Sequence, residues 1–193
     1  MNPELVAGVD EAGRGALAGP VVAGAVIFPV QCKGLEFQDS KKISDTKRRQ
    51  FFQYIQAQCV FGIGVVSAGE IDQIGIKKAT HKAMRKAVDQ LSIPPKKLLV
   101  DGNDQFLFSC PSQSIIRGDE IHQVISAASI VAKVVRDDIM KQMHTQYPNF
   151  DFVHNKGYGV PKHLELLEQE IYCPEHRCTY DPLFTCLTQG RLF

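Results

Sequence analysis

No stretch of this chain stays apolar over the roughly 20 residues that a membrane-spanning helix requires. The best candidate, Ala16 to Val30, is interrupted by Gly19, Pro20, Gly24 and Pro29, so no spanning helix is expected. Met1-Asn2-Pro3-Glu4 lacks the basic lead of a secretory signal, which points to a cytoplasmic protein. Cysteine clips are lacking too. The six cysteines (Cys32, Cys59, Cys110, Cys173, Cys178, Cys186) stand singly until the last of them. Cys173, His176, Cys178 and Cys186 could be drawn as a zinc site, but no Cys-x-x-Cys clip accompanies them, so free thiols are the expected state. An excess of one charge is also missing: 22 Lys/Arg against 21 Asp/Glu leave a net +1, which argues against a protein that coats nucleic acid. The halves differ, however. Residues 1–100 hold 14 basic against 9 acidic side chains and residues 101–193 hold 8 against 12, so the first half is the better face for a polyanion. With no repeat, low-complexity tract or long linker, the 193 residues are expected to form one domain.

What is there begins at Gly8-Val9-Asp10-Glu11-Ala12-Gly13-Arg14-Gly15-Ala16-Leu17-Ala18-Gly19-Pro20. Leu5 to Val9 and Val21 to Phe28 read as two strands with the polar groups in the turn between them. Neighbouring carboxylates at a strand end are the hard oxygen donors that Mg²⁺ or Mn²⁺ prefers. Gly13 and Gly15 permit backbone angles and close approaches closed to other residues, and Arg14 adds a fork suited to phosphate. The same pair could be a solvated hairpin tip; the glycine-bracketed arginine weighs toward a site.

Ser44 or Asp45 caps a helix from about Thr46 to Gln58, and Lys41, Lys42, Lys47, Arg48 and Arg49 gather at its start, as a phosphate-binding first turn or as a solubilising surface. Cys59 to Ala68 reads as a buried central strand, Gly69-Glu70-Ile71-Asp72 as a turn, and Ile76 to Leu91 as a helix with an alanine stripe and a basic side. Lys97 to Val100 is a strand ending in Asp101, the position of a catalytic carboxylate in an α/β fold. Gln113 to Ile116 is a fifth strand, and Arg117-Gly118-Asp119-Glu120 opens one helix running to about His144. That helix is apolar all round except for a stripe through Asp119, Ser126, Lys133 and Asp137, which calls for a polar neighbour. Eighteen residues rise about 27 Å, so Asp119 and Asp137 cannot share one metal pair. Asp119 is the better ligand candidate, with an N-cap as its plain alternative, and Asp137 is expected to pair with Arg136 or a neighbour. Tyr158, between Gly157 and Gly159 in a basic loop, can stack on a sugar or base, or anchor a turn. A helix from about Pro161 to Ile171 follows, and Tyr172 to Phe193 carries no periodic signal.

Taken together with Asp39-Ser40-Lys41-Lys42, Val100-Asp101-Gly102, Gly118-Asp119, Ser126 through Asp137 and Lys156-Gly157-Tyr158-Gly159, the order and spacing of these motifs resemble bacterial ribonuclease HII over nearly the whole chain. The resemblance implies an α/β protein of the RNase H-like fold, with a five-stranded mixed sheet flanked by helices and a helical C-terminal part from about 145 to 193. It also implies two Mg²⁺ or Mn²⁺ ions held by Asp10, Glu11, Asp101 and Asp119. Gly13, Arg14 and Gly15 are then expected to recognise a ribonucleotide 2′-hydroxyl, Ser40 and Lys41 to bind substrate, and Tyr158 to stack on the next sugar. The implied substrates are RNA–DNA hybrids and duplex DNA containing ribonucleotides, cut by a monomer 5′ to the ribonucleotide. Val160 departs from the Thr usual in the family. Ribonuclease HIII is the nearest alternative, although that family typically adds an N-terminal domain and carries a different glycine loop. A glycosidase is disfavoured because successive strand side chains diverge. A non-catalytic hybrid binder is disfavoured because all four carboxylates are present.

Overall fold

The computed structural model describes residues 5–29, 37 and 43–189. Val6–Ala12 (β1) and Val21–Ile27 (β2) form an antiparallel hairpin, in register from Ala7 opposite Ile27 to Ala12 opposite Val22. All seven residues of β2 are buried, as a strand covered on both faces must be. Val60–Val66 (β3) pairs antiparallel with β2, Lys97–Asp101 (β4) pairs parallel with β1, and Ser112–Ile115 (β5) pairs parallel with β4. The resulting order, β3-β2-β1-β4-β5, is the five-stranded mixed sheet expected.

Helices cover both faces. Ser44 accepts a hydrogen bond from Lys47 N and so caps Asp45–Gln58 (α1). Ala68–Ile74 (α2) and Ile76–Asp89 (α3) pack over one face, with Ala79, Ala83 and Ala87 buried against β2 and β3. The approach is close enough that a Cβ on Gly64 would lie 1.9 Å from the Ala83 carbonyl oxygen. Gln123–Gln146 (α5) and α1 cover the other face, where Ala127, Ala128, Ile130 and Val131 pack against Val26 and Ile55. Truncating the fully buried Ile130 to alanine would cost about 2–5 kcal/mol. Beyond α5 lie the short helix Phe152–Asn155 (α6), then Pro161–Glu168 (α7) and a last helix, Leu183–Gln189.

Four expectations need correction. The apolar run after Cys59 is an edge strand and not a central one; Gly62, Gly64 and Val66 face α3 while Val65 is exposed. The expected turn at Gly69 to Asp72 is the helix α2, started by the Ser67 side chain accepting from Glu70 N. The long helix is broken: Gly118–Ile121 (α4) is a single turn, and His122 takes an extended conformation before α5 begins. Asp119 therefore lies apart from α5, whose polar stripe runs through Ser126, Ser129, Lys133 and Asp137. Finally, the aperiodic tail is built into the molecule. Ala18 pairs with His176 in a β-bridge, Gly19 N donates to Glu175 O at 2.8 Å, and Arg177 N donates to Leu17 O at 2.9 Å. Periodicity cannot report this, because the tail is held by backbone bonds, by Asp72 and by scattered buried side chains such as Cys173, His176, Arg177 and Leu183.

Candidate active site

The parallel ladder between β1 and β4 ends with Val9 opposite Val100, so Asp10 and Asp101 are the next residues on adjacent strands, just beyond the paired part of the ladder. Asp10 is 4% exposed, and its carboxylate accepts from Glu11 N at 2.7 Å and is also hydrogen-bonded by Ser129 of α5. Asp101 Oδ1 accepts from Gly118 N at 2.6 Å, which seats the first turn of α4, and with it the buried Asp119, beside the strand ends. The strand expected to end at Val9 runs on to Ala12 against β2. Alternation then turns Glu11 away from Asp10, and its Oε1 lies 3.9 Å from Arg14 Nη1.

Burial, and then the negative charges of Glu11 and Asp101, hold the Asp10 carboxyl well above the usual carboxylate range. A divalent cation among these carboxyls would relieve their mutual repulsion. The donors are all carboxylate oxygen, which suits Mg²⁺ or Mn²⁺. Among the described residues no three His, Cys, Asp or Glu side chains already stand in a ligand cage.

Beside these acids opens a cleft of about 450 Å³. Glu11, Gly13, Arg14 and Gly15 form one wall, and Arg48 of α1, Ser129 and Lys133 of α5, and Tyr158 complete it. A larger hollow along β5, about 520 Å³, is lined by no charged side chain and offers nothing to a phosphate. Gly13 has φ +92°, and a Cβ there would lie 1.8 Å from Arg136 Nε. A Cβ at Gly15 would meet nothing within 4 Å. Protein packing thus demands a glycine at position 13 and leaves position 15 free for whatever enters the cleft.

Two buried arginines hold this loop, a role the sequence suggests for neither: it offers Arg136 only as a partner for Asp137, and does not mark Arg177 at all. Arg136 of α5 donates to Pro20 O, Lys156 O and Ala18 O at 3.0, 2.9 and 3.2 Å, with its guanidinium carbon 5.4 Å from the Tyr158 ring centre. Arg177 donates to Gly13 O at 2.7 Å, Arg14 O at 2.9 Å and Gly19 O at 2.9 Å. Burial pulls the Arg136 guanidinium down to about 10 and lowers that of Arg177, and the carbonyls compensate for the lost water. Asp137, expected to pair with Arg136 or a neighbour, bonds to its neighbour Lys133 at 2.6 Å, which leaves Arg136 to the loop carbonyls. An arginine on the buried side of a helix as apolar as α5 was the available signal for Arg136. No comparable signal marks Arg177.

The loop around Tyr158 lies directly against the glycine loop, since Leu17 N and Ala18 N both donate to Gly157 O. Tyr158 itself is 41% exposed. Arg14, also partly exposed, is held by Asp104, whose two oxygens lie 2.8 Å from Arg14 Nη2 and 2.8 Å from Lys77 Nζ. The basic side of α3 is partly engaged within the protein, Lys82 with Glu70 and Lys86 with Val65 O. Ser40 and Lys41 lie outside the described residues. The described cysteines, Cys59, Cys110, Cys173, Cys178 and Cys186, are free thiols as expected. His176, drawn with three of them as a zinc candidate, meets His163 edge-on, its Nε2 2.9 Å from the Nε2 of His163.

Comparison with known proteins gives a consistent result. The family model described as ribonuclease HII matches residues 7–184. A ribonuclease HII from Geobacillus sp. (strain WCH70) is 49% identical over 181 residues, 93% of this chain, and one from Syntrophus aciditrophicus (strain SB) is 46% identical over 177 residues, 91% of this chain. The chain spans 65% of the length of the first relative and 84% of the second. Among solved structures, ribonuclease H2 from Pyrococcus horikoshii OT3 superposes with a TM-score of 0.83 at 25% identity, covering 97% of this chain and 99% of that one. The architecture is that of the RNase H-like fold.

Proposed function

Because the chain belongs to the ribonuclease HII family, we propose that it is an endonuclease that hydrolyses the RNA strand of RNA–DNA hybrids. On this reading it also cuts duplex DNA 5′ to a single embedded ribonucleotide, leaving 3′-hydroxyl and 5′-phosphate ends. It would serve ribonucleotide excision and primer removal, as a cytoplasmic monomer. Among the described residues no helix is long and apolar enough to cross a membrane. The observation that carries the reading is the placement of two features on one strand and its turn. The strained Asp10 carboxylate lies at the end of the β1–β4 ladder, and three residues on begins the loop whose Gly15 leaves open space in a cationic cleft.

Asp10, Glu11, Asp101 and Asp119 would hold two Mg²⁺ or Mn²⁺ ions, which supply an activated water and stabilise the leaving 3′ oxygen. The remaining work belongs to the chain itself. The main chain at Arg14 and Gly15 reads the 2′-hydroxyl, the one group that distinguishes a ribonucleotide from its deoxy counterpart. The exposed face of Tyr158 stacks on the following deoxyribose. Arg48 and Lys133, in the same cleft, neutralise backbone phosphates. Arg136 and Arg177 fix the distance between the reading loop and Tyr158.

The test offers three labelled duplexes in Mg²⁺ or Mn²⁺: a uniform RNA–DNA hybrid, a DNA duplex with one ribonucleotide, and an all-DNA control. Cleavage of the first two, with the second cut at the phosphate 5′ to the ribonucleotide, is expected. Equal cutting of the all-DNA duplex would refute the reading.

A further inference from the structure

Behind Tyr158 lies a buried row of polar side chains that the chemistry above does not use. His163 of α7 is 1% exposed, His176 2% and Cys173 6%. His163 Nδ1 stands 2.9 Å from Tyr158 O, and its Nε2 stands 2.9 Å from His176 Nε2. His176 Nδ1 in turn lies 3.0 Å from Cys173 N and 3.2 Å from Cys173 Sγ. Phe150 and Phe152 wall the pair, with ring centres 4.7 Å from His176 and 5.8 Å from His163.

The bonding partners dictate where the protons sit. His163 Nδ1 faces the Tyr158 carbonyl, which can only accept, so Nδ1 carries the proton and His163 Nε2 carries a lone pair. His176 Nδ1, between Cys173 N at 3.0 Å and Cys173 O at 3.2 Å, then accepts from the Cys173 N–H and leaves its single proton on Nε2. His176 Nε2–H donates to His163 Nε2, and His163 Nδ1–H donates to Tyr158 O. Each ring is neutral and held in one tautomer, opposite to that of its partner. Apolar surroundings favour this state: burial lowers His163, and burial together with the neighbouring His163 lowers His176 to about 4. The row also has a fixed far end. His176 forms the bridge to Ala18, and Arg177 beside it holds Gly13 O.

We propose that Cys173, His176 and His163 form a one-directional hydrogen-bond relay that positions Tyr158 against the glycine loop and so sets the preference for a single ribonucleotide in DNA. The relay rests on the reading of Tyr158 as the group that stacks on the substrate. His163 is a positioning residue in this account and touches no substrate. The side-chain support matters here because Val160, two residues beyond Tyr158, has no hydroxyl to brace the loop.

The test compares three substitutions at His163 on the single-ribonucleotide duplex and on a long hybrid, with Tyr158→Ala beside them. In His163→Asn the amide nitrogen replaces Nδ1–H and keeps the bond to Tyr158 O; in His163→Gln it falls at the Nε2 position and that bond is lost; in His163→Ala both bonds are lost. One buried hydrogen bond is worth about tenfold in rate, so kcat/KM on the single-ribonucleotide duplex is expected to fall about tenfold for Gln and Ala. For Asn the loss is expected to stay within about threefold, and all three are expected to change less on the long hybrid. If Tyr158→Ala loses the preference and His163→Gln retains it, the relay is overturned while the Tyr158 reading stands. If Tyr158→Ala keeps the preference, the Tyr158 reading fails and the relay loses its role in selectivity. Long-range ¹⁵N imidazole spectra of the unmodified protein give a readout independent of folding defects. Nδ1–H on His163 with Nε2–H on His176 supports the relay, and the same tautomer on both rings, or a doubly protonated ring near neutral pH, overturns it.

Discussion

Arg177 Nη2 donates to the carbonyl of Gly13 at 2.7 Å across 164 residues of sequence, so the reading loop is shaped by the tail of the chain. The same guanidinium serves Arg14 O and Gly19 O, and its replacement by methionine would leave three loop carbonyls without their donor. Arg177→Met should cost on the order of 3 kcal/mol and depress cleavage of hybrid and single-ribonucleotide duplex alike. Denaturant midpoints and paired rate measurements check this. A stable variant with full activity would remove Arg177 from the account.

Gly13 and Gly15 make opposite predictions. Gly13→Ala must relieve both φ +92° and a collision with Arg136, so it should destabilise the protein by roughly 1–3 kcal/mol. Gly15→Ala has open space and should leave the thermal midpoint within about 2 °C of the parent, since surface changes fall within about ±0.5 kcal/mol. Its methyl occupies the place of the substrate, however, so cleavage should fall at least tenfold, about 1.4 kcal/mol of transition-state stabilisation. Thermal melts and initial rates on the single-ribonucleotide duplex separate the two, and an active Gly15→Ala would show that close main-chain approach is not used.

Asp104 grips Arg14 from the protein side, and the pair is partly exposed. Asp104→Asn should therefore cost less than about 1 kcal/mol of stability. Its effect should appear in KM for the single-ribonucleotide duplex, because Arg14 loses its orientation while the carboxylate site is untouched. A change in kcat alone, with KM constant, would place Asp104 elsewhere in the mechanism.

His176 links stability to pH. Its folded value is lowered from 6.5 to about 4, so below 6.5 the unfolded chain takes up a proton that the folded protein refuses. The stability it confers is complete above 6.5 and is lost as pH falls toward 4, by up to about 3 kcal/mol at about 1.4 kcal/mol per pKa unit. Urea midpoints at pH 7.5 and 4.5 should differ less in His176→Gln than in the parent, and an equal drop would contradict the assignment.

Much of the sheet and most of the acids were legible in the sequence, because alternation, strand-ending carboxylates and glycine turns are local signals. Asp101 could be placed at a strand end from Val100 alone, whereas Asp10 stands only at the end of the ladder with β4. What escaped was non-local. The exposed side of β3 depends on which strand lies beside it, and the break at His122 depends on Asp101 receiving Gly118 N. The roles of Arg136 and Arg177 depend on carbonyls more than a hundred residues away in sequence. A lone arginine carries no periodicity, so its partners become visible only in three dimensions.

A divalent cation held by carboxylates is expected to cut next to a ribonucleotide chosen by its 2′-hydroxyl. The most direct measurement maps the cut on a DNA duplex carrying one ribonucleotide, for the parent protein and for Asp10→Asn, in Mg²⁺ or Mn²⁺ and again in chelator. The account predicts a single incision 5′ to the ribonucleotide with 3′-hydroxyl and 5′-phosphate ends, abolished by chelator and reduced at least a hundredfold, about 2.7 kcal/mol, in Asp10→Asn. Incision that persists in chelator, or equal incision by Asp10→Asn, would contradict it.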